Sequence, residues 1–132
     1  MFSIDVSNGK YIRIRATGRL RSSDYDSLEP ALEEELALRQ AQARRGGPVR
    51  QARDRRVPLL LDLTGWRGWT LGGLARDLRF DLRHRNSFTR IAVLGDRAWH
   101  KWLTIAAKPV FSGPMRYFDA AEERDAVEWV ES

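Results

Sequence analysis

Cysteine is missing from all 132 residues, which excludes disulfides, thiolate nucleophiles and zinc sites built on thiolates. Histidine is scarce: His84 and His100 stand alone, with no H-x-x-x-H or H-E-x-x-H spacing, so no metal is expected. Neither G-x-S-x-G nor a Walker lysine nor G-x-G-x-x-G occurs, which removes the common signatures of hydrolases and nucleotide binders. No run approaches the roughly 18 apolar residues that a bilayer span requires. The opening MFSIDVSNGK carries Asp5 and no apolar stretch, unlike a secretory leader, so a cytoplasmic protein is expected. Carboxylates are plentiful but fall at solvated helix positions or caps, with no pair spaced for acid–base work. The expectation is therefore a chain without catalysis and without a cofactor.

What is present is a foldable globule. Hydrophobic residues make up 42% and aromatics 10%, enough for one domain over residues 1–132 with a real core. The net charge of +5 is unevenly placed. Arg39 to Arg56 holds seven arginines against one aspartate, a net of +6, and the remainder carries sixteen basic and seventeen acidic residues, a net of −1. That segment, broken at Gly46-Gly47-Pro48, has almost nothing apolar to bury and reads as a basic, partly flexible insertion at about 39–56. It lacks the aromatic platforms of single-strand binders, which argues against nucleic acid as the partner.

Periodicity gives the elements. Phe2 to Val6 reads as a strand, Asn8-Gly9 as a type I′ turn, and KYIRIRATG as a strand with Ile12, Ile14 and Ala16 on one face. Ser22, Ser23 and Asp24 suit a helix start, and Leu28, Leu32 and Leu36 form its stripe towards Gln42, with a kink or restart at Pro30. VPLLLDL, Val57 to Leu63, has the continuous apolar character of a strand covered on both faces. Leu71, Leu74, Leu78 and Leu82 mark the expected buried stripe of a second helix. RIAVLG supplies the next strand, Asp96 the cap of a third helix, and MRYF a last strand. Asp119 and Glu122 have capping-box spacing for a final helix ending near Val130. The order β-β-α-β-α-β-α-β-α predicts an α/β fold with a mixed, mostly parallel sheet of four to five strands.

With these residues, the pieces LLLDLTGWRGWTLGGLARDL and MRYFDAAEERDAVEW resemble the SpoIIAA-like family of STAS domains, the fold of anti-sigma-factor antagonists. The resemblance implies helices packed mainly on one side of the sheet and a non-enzymatic, regulatory role in protein–protein interaction. Its serine-phosphorylated members carry Asp-Ser-Ser-Gly-Leu where the second helix begins. An ungapped alignment from LDL places Thr70, Leu71, Gly72, Gly73 and Leu74 there, so both serine positions lack a hydroxyl. On that alignment the phosphoserine switch is expected to be lost, and Thr70, Gly72 and Gly73 are the switch or loop candidates. Thr70 reads first as a helix cap, or as a phosphorylated residue if a one- or two-residue gap brings it onto a serine position, and the glycines as a tight crossover.

Two functional surfaces follow. A protein partner, of the anti-sigma type or a second copy of the chain, would meet Trp66 and Trp69 on the loop and Arg76, Arg79, Arg83 and Arg85 on the second helix. The alternative is a carrier or sensor of a small apolar ligand or lipid, with Trp99, Trp102, Phe111 and Trp129 around a pocket, or a helix resting on a membrane surface. At helical spacing beside Leu103 and Ala106, Trp99 and Trp102 read first as core.

Overall fold

The computed structural model describes residues 1–45 and 56–132. Strands β1 (Phe2–Asp5), β2 (Ile12–Ala16), β4 (Val57–Asp62), β6 (Phe88–Gly95) and β7 (Met115–Asp119) form one sheet in the order β1-β2-β4-β6-β7. β1 is antiparallel to β2, and every other pairing is parallel. Two further strands, β3 (Gly18–Leu20) and β5 (Trp66–Trp69), pair in parallel as a separate ribbon. Helices α1 (Ser22–Arg45), α2 (Leu71–Arg83), α3 (Ala98–Ala107) and α4 (Glu123–Glu131) complete the fold. The expected α/β order is met, and within the glycine-rich loop Trp66–Trp69 proves to be a short strand.

The sheet is covered on both faces because its central strands alternate. Leu59, Ile91 and Val93 point into a core with Tyr25, Leu28, Leu32 and Leu36 of α1 and Phe80 of α2. Leu60, Ala92 and Leu94 point the other way, onto Ala126 and Val130 of α4. Three helices thus share one face and α4 alone closes the other. Asp119 and Glu122 form the anticipated capping box before α4.

The basic segment begins inside the fold. Residues 39–45 complete α1, which runs through Pro30 as one element, and residues 46–55 of the anticipated flexible insertion lie outside the described residues. Arg39 bonds Glu35 of its own helix and donates to the carbonyls of Val6, Asn8 and Gly9, fastening the β1–β2 loop. That loop is not a type I′ turn, because neither Asn8 nor Gly9 has positive φ. Local Asx bonds from Ser7 N to Asp5 and from Lys10 N to Asn8 shape it instead.

The second helix departs most from expectation. Its leucine stripe faces outward: Leu71 is 89% exposed, Leu74 38%, Leu78 57% and Leu82 60%. Gly73, Phe80 and His84 are buried on the opposite side, with Asp77 and Asp81 half-buried beside them. Polar and steric contacts impose this rotation. Tyr25 of α1 donates to Asp77 at 2.6 Å, and Arg76 and Arg83 reach Asp26, Glu29 and Glu33 of α1. At Gly73 the helix comes so close to β3 that a Cβ would lie 2.2 Å from the Leu20 carbonyl oxygen. α2 therefore packs on α1 and β5 and stands off the main sheet.

A smaller rotation affects α3. The side chain of Asp96 does not cap it; Arg97 is the N-cap residue and contributes no side-chain bond. Its inner face is Trp99, His100, Leu103, Thr104 and Ala107, leaving Trp102 70% exposed rather than in the core. His100 and Thr104 turn inward because both find buried partners.

Candidate functional site

Because α2 leans on α1 instead of the sheet, an opening remains between α2, α3 and the sheet. It is a cavity of about 270 Å³. Its floor comes from the strands, through residues such as Leu59, Leu61, Ile91 and Met115. Leu28 and Phe80 form one wall, Leu103 and Ala107 the other, and Phe111 closes the end beyond α3. Leu74 and Leu78 border it from α2.

Two carboxylates interrupt this apolar lining. Asp77 and Asp81 lie one turn apart on the inner side of α2 and both line the cavity. Asp77 accepts from the Tyr25 hydroxyl, which accepts from the Trp69 indole N–H at 3.1 Å. Burial raises both carboxyls above the ordinary range, and the neighbouring Asp77 charge helps push Asp81 up to about 8. At neutral pH the pair therefore keeps a proton. Tyr25 is likewise pushed up, first by burial and then by the charge on Asp77, so it remains a donor.

The tryptophans of β5 have separate fates. Trp66 is 4% exposed and packs against Trp69, Trp99 and His100, with ring centroids 4.6, 4.8 and 5.5 Å away. It is a core residue and cannot rim a partner surface. Its indole N–H is buried without an acceptor, and the residue also lines the cavity. Trp69 is half-buried, held by Tyr25. The φ of +108° at Gly68 lets the strand pass below Trp99. His100 is fully buried, 3.2 Å from the Trp66 carbonyl through Nε2 and 3.3 Å from the Asp96 N–H through Nδ1, a pairing that requires the Nε2–H tautomer. Burial lowers its pKa, so the ring is neutral.

The other anticipated site residues are dispersed. Arg76 and Arg83 are engaged with acids of α1, so they serve the helix pair before any partner. Arg79 and Arg85 are exposed. Thr70 caps α2, accepting from the Gly73 N–H at 3.0 Å; a Cβ at Gly72 would make only an ordinary contact with Ser22, whereas at Gly73 it would meet backbone. Of the four residues suggested for a pocket, Phe111 lines the cavity. Trp99 packs on Trp66 and His100, Trp102 faces outward, and Trp129 lies across the sheet with Phe118, Arg90 and Arg116. Sequence reasoning missed Asp77 and Asp81; the signal was two like charges at i, i+4 flanking Phe80, an arrangement that disfavours an isolated helix.

Among the described residues no three His, Asp or Glu side chains gather as a metal would need, and no helix is long and apolar enough to cross a membrane. A second depression of about 260 Å³ lies where β6 and β7 end, with Arg97 and Lys101 balanced by Asp96 and Asp119.

The sequence profile of a family described as SpoIIAA-like matches residues 11–131. Among solved structures, an uncharacterized protein of the DUF3478 family with a SpoIIAA-like fold, from Shewanella loihica PV-4, is 27% identical. That likeness covers 98% of this chain and 92% of the other at a TM-score of 0.73. Comparison with curated proteins gives no match.

Proposed function

Since the chain belongs to the SpoIIAA-like family, we propose that it is a non-enzymatic cytoplasmic regulatory module whose input is a small apolar molecule held between α2, α3 and the sheet. The cavity carries this reading. At about 270 Å³ it approaches the roughly 300 Å³ where small-molecule sites begin, and its lining is apolar apart from a few polar groups. With α2 held on α1 and against β3 by its own contacts, an occupant of the cavity would supply the packing that the helix does not make with the sheet. In the ungapped alignment from LDL, Leu71 and Gly72 stand at the serine positions of the family switch, which favours a signal other than phosphoserine there. Occupancy of the cavity under the same helix is a non-covalent substitute, and it shifts a population only through better binding to one seat of α2.

The test is titration with N-phenyl-1-naphthylamine, an apolar fluorescent probe, on wild type and on Ala107→Phe, which fills the cavity. Saturable one-to-one binding to wild type, lost in a variant that still unfolds cooperatively, is the expected result. Binding that is not saturable, or that survives the filled cavity, overturns the reading.

A second reading has its own observation. Leu71 and Leu82 of α2, outside the cavity lining and 89% and 60% exposed, extend the apolar rim that Leu74 and Leu78 form, the kind of surface that docks a protein partner or a second copy of the chain. Sedimentation of wild type against Leu71→Ser/Leu82→Ser, two positions outside the cavity lining, tests the second-copy form: a concentration-dependent dimer lost in the variant supports it, and a monomer in both removes it.

A further inference from the structure

We propose that the cavity is selective for an amphiphile with a protonated amine head, its apolar body among the core side chains and its ammonium against Asp77 and Asp81. This rests on the cavity being a ligand site and names the chemistry it takes. Among the residues that line it, Asp77 and Asp81 are the charged ones, and no lysine, arginine or histidine joins them. Neither aspartate forms an ion pair among the described residues. The nearby cations of α2 are turned away, Arg76 to Asp26 and Glu29, Arg83 to Glu29 and Glu33.

Two carboxylates beside apolar walls, without a counter-ion, are unfavourable as structure alone. They sit on a helix that could have turned its leucines inward, yet Tyr25 and Trp69 hold Asp77 in place. An alkylammonium offers what the site lacks: one positive charge and three donors on a narrow stem. Tyr25, itself fixed by the Trp69 indole N–H, donates to Oδ1 of Asp77, which leaves the second oxygen of Asp77 and both oxygens of Asp81 for the ammonium. With the cation present both carboxyls ionise, so the proton retained by the empty pair passes to the buffer as the amine binds. A fatty acid would bring a third negative charge to the same place. The chain's net charge of +5 works against any cation at long range, so an amine preference must come from these two side chains.

The experiment compares decylamine, 1-decanol and decanoate, one chain with three heads, by calorimetric titration of the full chain in two buffers of different ionisation enthalpy. Asp77→Asn/Asp81→Asn is run in parallel, with its fold checked by near-ultraviolet circular dichroism. The expected result is decylamine binding at least tenfold tighter than decanol at pH 7, with decanoate weakest and proton release on amine binding. In the double variant the amine preference and the proton release should vanish while decanol binds as before. Decanol or decanoate binding as well as decylamine to wild type overturns the amine selectivity but leaves the apolar site standing. An amine preference that survives in the variant overturns the role of the aspartates. Failure of all three chains to bind overturns the ligand site itself.

Discussion

Gly72 and Gly73 are adjacent in sequence and should respond in opposite directions to alanine. At Gly73 the new Cβ would stand 2.2 Å from the Leu20 carbonyl oxygen, 2.9 Å from its carbon and 3.2 Å from Thr70 Oγ1. The first distance is more than 1 Å short of ordinary contact, and the obstacle is backbone, so α2 must move. Moving it strains the Thr70 N–H bond to Leu20 O at 2.9 Å and the Thr70 cap on Gly73. Overpacking of this kind costs about 1–3 kcal/mol, and each strained bond about 1 kcal/mol. Alanine returns about 0.5–1 kcal/mol through helix propensity, leaving a net loss of roughly 2–4 kcal/mol. At Gly72 the nearest atoms to a new Cβ are Ser22 Cβ and Oγ at 3.9 Å, an ordinary contact. There the propensity gain stands nearly alone, about 0.5 kcal/mol. Thermal unfolding reads both: for a domain of this size Gly73→Ala should lower Tm by about 10 °C and Gly72→Ala raise it by about 2 °C. Equal responses, or a Gly73→Ala protein as stable as wild type, would refute the close approach of α2 to β3.

The orientation of α2 predicts that Leu71→Ser and Leu78→Ser each change stability by less than about 0.5 kcal/mol in urea titrations, whereas Phe80→Ala costs about 3 kcal/mol or more. Asp81 gives a pH signature. Its raised pKa means the folded chain keeps a proton that the unfolded chain releases, so its contribution is full below about pH 4 and is lost as pH rises through about 8. Wild type should therefore lose stability from pH 6 to 9 relative to Asp81→Asn. The histidines act in the other direction: burial lowers the pKa of His84 and His100, so their contribution is present above about 6.5 and lost as pH falls below it. Their imidazole NMR signals should accordingly titrate below pH 6.5. Arg13→Ala leaves the buried Asp62 carboxylate with Thr64 alone and unties β2 from α4, a loss of about 1–2 kcal/mol that Arg13→Lys should partly restore in denaturant titrations.

The alternating and continuous apolar runs determined the sheet by themselves. Ile12, Ile14 and Ala16 against Arg13 and Arg15 can bury one face only, and LLL or IAVL can serve only strands covered twice. Capping chemistry was equally local: Thr70 with Gly73, and Asp119 with Glu122, act within three residues. The ribbon of β3 and β5 was not legible, because Arg19 meets Gly68 across 49 positions and neither strand is long enough to carry a period. The facing of α2 was decided by tertiary contacts alone. Periodicity marks a leucine stripe but not what stands opposite it. Tyr25 lies 52 residues from Asp77, and Arg76 lies 50 from Asp26; these contacts, with the missing side chain of Gly73, turn the leucines to solvent. The cavity and its two aspartates follow from that single rotation. A side chain's partner across space, which no local pattern encodes, determines whether a carboxylate is a solvated charge or part of a site.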